Sequence, residues 1–382
     1  MAGPGPYPSR RSVLAAGTGV AAAGLPARLG ENHGSRAARN TPAAAPAALT
    51  PQQQAGQRVV FSYSGTTVPQ SLLTQISSGQ AAGVIFFGDN ISSLAQITSA
   101  VQQIRQANRS SPSPAPLLLM TDQEGGQIRR LPGAPALSAK QIGASADPAG
   151  AAADAGTGAG NLLRSVGMNI NLAPVLDVYR SAGDFEDQYQ RSYSTDAEVV
   201  SVCGRAFIAA QRATGVASAA KHFPGLGSAS AAQNTDLRSV TLTATLAELR
   251  NIDEIPYVSA LTAGAELVMV SWAVYSHLDA AHPAGLSPTV VQSELRDRFT
   301  FTGVTITDAI GAGALSSLGT SSQNAVAAAA AGMDLVLDSS GDVSHGQSIV
   351  TALAGALQNG TLDQTASLAA VGRISALRGR LF

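Results

Sequence analysis

The 382-residue chain has one cysteine, one tryptophan and, among its 24 basic residues, two lysines, Lys140 and Lys221. A lone cysteine excludes an intrachain disulfide framework and a zinc cluster built on thiolates. Charged residues make up 13% of the chain, about half the usual quarter, and the net charge is −1. No basic surplus exists to neutralise phosphates, which argues against a nucleic-acid ligand. The 45% apolar content with so little net charge argues equally against general disorder. No segment beyond the N-terminus is a convincing membrane span. Cys203 sits in a helix-like stretch with Val202 and Phe207 and reads as core filler, since nothing nearby lowers its pKa. In a chain this short of charge, each lysine or carboxylate beside an apolar run carries information.

Residues 9–14 read Ser-Arg-Arg-Ser-Val-Leu, and an apolar run of small residues follows from Val13 to about Leu25. Paired arginines before a short apolar stretch have the form of a twin-arginine export signal, assigned to residues 1–27. A basic tail is the bland alternative. Residues 28–49 are rich in Ala and Pro and read as a disordered linker, so the working protein is expected over residues 50–382. The expected location is secreted or extracytoplasmic, without stable membrane insertion once the signal is removed.

Eight strand-like runs recur along the rest of the chain: 58–63, 83–87, 117–121, 169–177, 217–222, 266–271, 303–308 and 334–338. Most are continuous apolar stretches, as strands buried on both faces require. Helix-compatible segments lie between them, at 91–108, 197–214 and 288–299 among others. Alternating strands and helices predict an α/β fold, and eight repeats predict a (β/α)₈ TIM-type barrel. A doubly wound open sheet is the runner-up, although no Gly-x-Gly-x-x-Gly turn follows the first strand. No composition break occurs after residue 50, so one domain is expected.

Barrel enzymes place their chemistry at the C-terminal strand ends. Here those ends carry Asp122 and Glu124, Asp177, Lys221 and His222, Ser271 and Trp272, Asp308, and Asp338, with Arg191 in the loop after strand four. A single Asp after a strand is usually a helix cap, a reading open to Asp177 and Asp338; the joint pattern is harder to explain so. Asp308, held at a rigid strand end, is the best nucleophile candidate. The five histidines show no paired metal-ligand spacing, so neither a metal nor another cofactor is expected. Carboxylates, Lys and Arg on one rim suit a carbohydrate, whose hydroxyls they hydrogen-bond. Trp272 either stacks on a sugar face or belongs to the core.

The stretches TDQEGGQIRRL (121–131), NLAPVLDV (171–178), RSY (191–193), KHFPGLG (221–227), ITDAIGAGAL (306–315) and AGMDLVL (331–337) resemble the N-terminal barrel of glycoside hydrolase family 3. The likeness spans roughly residues 50–382, and a chain of this short form resembles the single-domain bacterial β-N-acetylhexosaminidases of cell-wall turnover. It implies a retaining exo-glycosidase acting on terminal β-linked N-acetylhexosamine. Asp308 would be the nucleophile, and Asp122, Arg191, Lys221 and His222 would grip the sugar. Asp177 would support the rim.

One segment departs from that pattern. The single-domain hexosaminidases usually read KHFPGHG and then an Asp-Ser/Thr-His triplet, whose Asp–His pair is the acid/base on a mobile loop. This chain has Leu226 in place of the His and Asn234-Thr235-Asp236 in place of the triplet. Asn234 cannot titrate, so Asp236 is the expected acid, its pKa raised by a dry loop or by Asp308. His277, His282 and His345 are further candidates on the same rim. Two other readings stay open: a β-glucosidase or β-xylosidase-like enzyme of the same family, or a non-catalytic glycan-binding relative.

Overall fold

The computed structural model describes residues 49–382. The twin-arginine signal and all but the last residue of the linker lie outside the described residues.

Eight strands close into one parallel barrel. They are β1 (Val59–Phe61), β2 (Gly83–Ile85), β3 (Leu118–Thr121), β4 (Ile170–Asn171), β5 (Ala217–Phe223), β6 (Leu267–Val270), β7 (Val304–Ala309) and β8 (Leu335–Leu337). Each pairs with its sequence neighbours, and β8 returns to β1 through Val59 and Val336. This is the arrangement of a (β/α)₈ barrel. All eight expected runs contain a strand, and the open-sheet alternative falls with the closure of the ring.

The helices start where the sequence offers caps. Ser93 Oγ accepts from Gln96 N at 3.1 Å and opens the helix Leu94–Asn108, which buries Ile97, Val101 and Ile104 on one face. Ile91, expected inside that helix, lies before it, after a single 3₁₀ turn at Gly88–Asn90. Ala197–Ala213 matches its expectation and starts at the Asp196 cap. The 288–299 segment forms a wider π-type helix over Thr289–Arg298. β4 is much shorter than the expected 169–177 run: Pro174 has no N–H to donate, and the chain touches the ladder again only where Val175 bridges Lys221.

Apolar side chains form two layers. One lies between strands and helices; the other fills the barrel, with Val60, Leu118, Met120, Ile170, Ala219 and Ile306 among its members. The C-terminal helix Gln364–Arg378 adds Ile374 and Leu377 to the inner layer, at the end where the strands begin. Burying two such side chains contributes about 1.5–3 kcal/mol each. That end is also tied by charge. Asp334 accepts from Arg296 at 2.5 Å and Arg373 at 2.7 Å, and Arg58 donates to the Asp334 and Met333 carbonyls and to Ser367. Burial pulls the Arg58 pKa down to about 10, although the Asp334 carboxylate opposes it. The interior of the barrel is thus filled at this end.

Candidate active site

A cavity of about 370 Å³ opens at the C-terminal ends of the strands. Its floor is the last layer of the barrel filling: Ile85, Leu172, Met269 and Leu337, at the ends of the even-numbered strands. Asp122, Arg191, Lys221, His222, Asp236 and Asp308 all line it. The structure thus brings all six sequence-predicted site residues around one space.

Lys221, at the end of β5, is buried. Its Nζ reaches Asp122 Oδ1 at 2.8 Å and Glu124 Oε1 at 2.7 Å. Burial alone would pull its pKa down, but these two carboxylates outweigh it and the net shift is upward. Glu124 also takes Arg191 in a two-pronged bond, from Nε at 2.9 Å and from Nη2 at 2.8 Å. Burial pushes Glu124 up, yet Arg191 and Lys221 hold it well below the usual carboxylate range. The third contact of Arg191 is Glu186, 2.7 Å away. Arg191 is partly buried, and the Glu124 and Glu186 charges raise its pKa further despite that desolvation. Lys221 and Arg191 are therefore locked in position and in charge.

His222 is oriented from below. Its Nδ1 meets Asp177 Oδ2 at 2.7 Å, and Asp177 Oδ1 accepts from Leu226 N at 2.6 Å. Burial disfavours the imidazolium, but Asp177 beside it wins and raises the pKa. Glu186, 3.8 Å from the same nitrogen, is pushed by burial up to about 7, against the pull of Arg191 and His222.

Asp308 is the fifth residue of β7, half-buried, with Oδ1 accepting from the Ala309 N–H at 2.7 Å. The Asp236 loop is pinned to the segment that follows β7. Gly313 N donates to the Asp236 carbonyl at 2.8 Å and Ala314 N to that of Thr235 at 3.0 Å. Asn234 Oδ1 accepts from Asp236 N at 2.8 Å, so the amide that replaces the usual acid braces the turn. Partial burial at the mouth and the Asp308 carboxylate raise the Asp236 pKa above its ordinary value, against His222 and Arg191. The residue keeps an exposed surface, so the neighbouring charge matters to this shift as well as desolvation.

Other expectations are corrected. Trp272 does not face the cavity: it is buried, and its Nε1 donates to the Ala309 carbonyl at 2.9 Å. It is core, so it offers no stacking surface. Rim aromatics are instead Phe87, Phe185 and Tyr189, the last two held edge to face at 6.1 Å. His277, His282 and His345 do not line the cavity; His282 bonds Asp279 and His345 bonds Asp338. Asp177 and Asp338 cap no helix, since each binds a histidine. Cys203 is buried as expected, and burial pushes its thiol up to about 12. Sequence reasoning left Glu124 and Glu186 without roles. Glu124 stands inside the quoted DQEGG run, so its motif was a signal; Glu186 is in a loop helix with no local mark.

Asp177, Glu186 and His222 present ligand-type atoms within 4.8 Å of one another. Two of those groups already bind each other, and the Arg191 guanidinium stands against Glu186 where a cation would sit. The donor set is thus charge-balanced by protein groups and fits a metal poorly.

The chain matches the model of the glycosyl hydrolase family 3 N-terminal domain over residues 71–377. It is 45% identical, over 88% of its own length and 96% of the relative, to a secreted glycosyl hydrolase of Arthroderma benhamiae that is described as uncharacterised. The β-N-acetylhexosaminidase structure from Beutenbergia cavernae is 32% identical, with a TM-score of 0.79, over 87% of this chain and 99% of that one. A family 3 β-N-acetylglucosaminidase structure from a Paenibacillus species is 29% identical, with a TM-score of 0.82 over 87% of this chain; the match spans 63% of that longer protein.

Proposed function

This chain belongs to glycosyl hydrolase family 3, and from that premise we propose that it is a retaining exo-β-N-acetylhexosaminidase with Asp308 as nucleophile and Asp236 as general acid and base. The observation that carries this reading is the convergence of Asp308, Asp236 and four polar residues of the rim on one cavity, with the Asp236 loop tied to the segment after the nucleophile's strand. A volume near 370 Å³ lies at the small end of ligand pockets, about 300–1,000 Å³, and suits one terminal sugar ring.

The chemistry follows from the charges. A retaining glycosidase needs one carboxylate to attack the anomeric carbon and one acid to protonate the leaving oxygen. Asp308 attacks while Asp236, whose pKa is raised by burial and by the neighbouring Asp308 charge, donates. Once Asp308 is esterified by the sugar its charge is gone. The Asp236 pKa then falls, and the residue becomes the base that activates water. Lys221 and Arg191 donate to ring hydroxyls, Asp122 accepts from them, and the Asp177–His222 pair fixes the fourth contact. Asp177, Glu124 and Glu186 position these groups without touching the sugar. The N-acetylhexosamine preference is taken from the relatives, as is secretion, which the twin-arginine signal would direct for a barrel over residues 50–382. No described helix is long and apolar enough to cross a membrane.

The test is hydrolysis of 4-nitrophenyl β-glycosides of N-acetylglucosamine, glucose and xylose by residues 50–382. The N-acetylglucosaminide is expected to be the preferred substrate. Preference for glucoside or xyloside would assign another sugar, and binding without turnover of any would assign a non-catalytic relative.

A further inference from the structure

A second concavity of about 530 Å³ adjoins the first on the same rim, walled by Ile91 and Ser92 from the loop after β2 and by Arg129–Gly133 from the loop after β3. Arg130 belongs to both walls. Its condition differs from that of the other cavity cations. Lys221 and Arg191 each contact two carboxylates at 2.7–2.9 Å. The nearest carboxylate to Arg130 is Asp122 at 3.7 Å, beyond hydrogen-bond range, and its buried Nε has no acceptor. Asp122 already serves Lys221. Arg129, beside it, adds a second positive charge and is braced by the Gly126 and Gly133 carbonyls. No carboxylate belongs to the walls of this groove.

The barrel fixes which end of the sugar faces the groove, given the roles proposed above. Asp308 is on β7, and the Asp236 loop is tied to the segment after β7, so the anomeric carbon lies toward that side. β3 stands four strands away in the ring of eight, on the opposite side. The C4–C6 end of the ring therefore points to Asp122 and Arg130.

We propose that the groove is a binding site for an oxyanion carried on that end of the sugar, a sulfate ester at C6 being the fitting chemistry, with Arg130 as the residue that recognises it. A half-exposed guanidinium whose nearest carboxylate stands beyond hydrogen-bond range matches a tetrahedral oxyanion by two parallel bonds. An enzyme with a closed one-sugar pocket would reject such a substituent; a groove beside the pocket accommodates it.

Two measurements test this. Calorimetric binding of N-acetylglucosamine and its 6-sulfate to Asp308→Asn needs no turnover. The 6-sulfate is expected to bind about tenfold tighter or more, and adding Arg130→Gln is expected to abolish the difference, with Arg130→Lys retaining part of it. In the second, the ratio of kcat/KM for the 6-sulfated and plain 4-nitrophenyl N-acetylglucosaminides is expected to fall about tenfold in Arg130→Gln. Equal or weaker binding of the 6-sulfate by the Arg130 protein, or an equal loss for both sugars in Arg130→Gln, would overturn the assignment. A preserved binding preference without turnover of either glycoside would support the groove and overturn the hydrolase reading instead.

Discussion

The two ends of this barrel each hold a cluster of arginines and carboxylates, built by similar rules and serving different ends. At the closed end Arg58, Arg296 and Arg373 gather on Asp334 under the C-terminal helix. At the open end Lys221 and Arg191 are held by Asp122, Glu124 and Glu186, and the same groups line a cavity. Ion pairing is dense in both. What separates them is whether the paired groups leave a hydrogen-bonding face toward open space. The first cluster uses its donors on backbone carbonyls and Ser367; the second holds Asp308 and Asp236 opposite its cations.

The largest effect should come from the open end. Asp236→Asn is expected to lower turnover of an unactivated disaccharide by about 10²–10⁴-fold, with a smaller loss on a 4-nitrophenyl glycoside, whose leaving group needs little protonation. Because the Asp236 pKa is raised, the wild-type rate should fall as pH climbs through that value and the acid is lost. This alkaline limb should vanish in Asp236→Asn. A pH profile of kcat/KM checks both, and folding measured by circular dichroism should be unaltered.

Breaking the closed end should do the reverse. Asp334→Ala leaves Arg296 and Arg373 without their shared carboxylate, while Arg58 keeps its bond to the backbone carbonyl of residue 334. Removing one partner of a buried pair costs about 3–5 kcal/mol, so a thermal melt should shift down by several degrees. The folded fraction should retain the wild-type sugar preference. A matching loss of specificity would show that the two ends are not separable in the way described.

Much of this division was legible in the sequence. β-rich runs and their polar ends located all eight strands, and the six cavity residues came from KHFPG, DQEGG, RSY, the strand-end Asp308 and the Asn234-Thr235-Asp236 segment. What was not legible depends on contacts distant in the chain. Glu186 gains its place by meeting Arg191 and His222 across loops. Trp272 looks like a binding aromatic by position, yet Gly285 packs on its ring and Ala309 accepts its N–H. β4 was overestimated because apolar content persists beyond Pro174, where the ladder cannot.

A smaller effect sharpens the contrast between a buried carboxylate with a strong partner set and one without. Asp253 has one arginine, Arg180 at 2.6 Å, and burial pushes its pKa up to about 7 in spite of it. A carboxyl raised on folding stabilises fully below its unfolded pKa of about 4, and that contribution is lost as pH rises through about 7. The melting temperature should therefore decline between those limits, and Asp253→Asn should make the decline shallower.

The claim that Asp308 is the nucleophile is tested most directly by trapping. The protein would be incubated with a 5-fluoro N-acetylglucosaminyl fluoride, then analysed by intact mass and by peptide mapping. The account predicts one added sugar, carried on the peptide that contains Asp308 and absent from Asp308→Ala. A sugar attached to a different residue, or steady turnover through which no adduct ever forms, would contradict it.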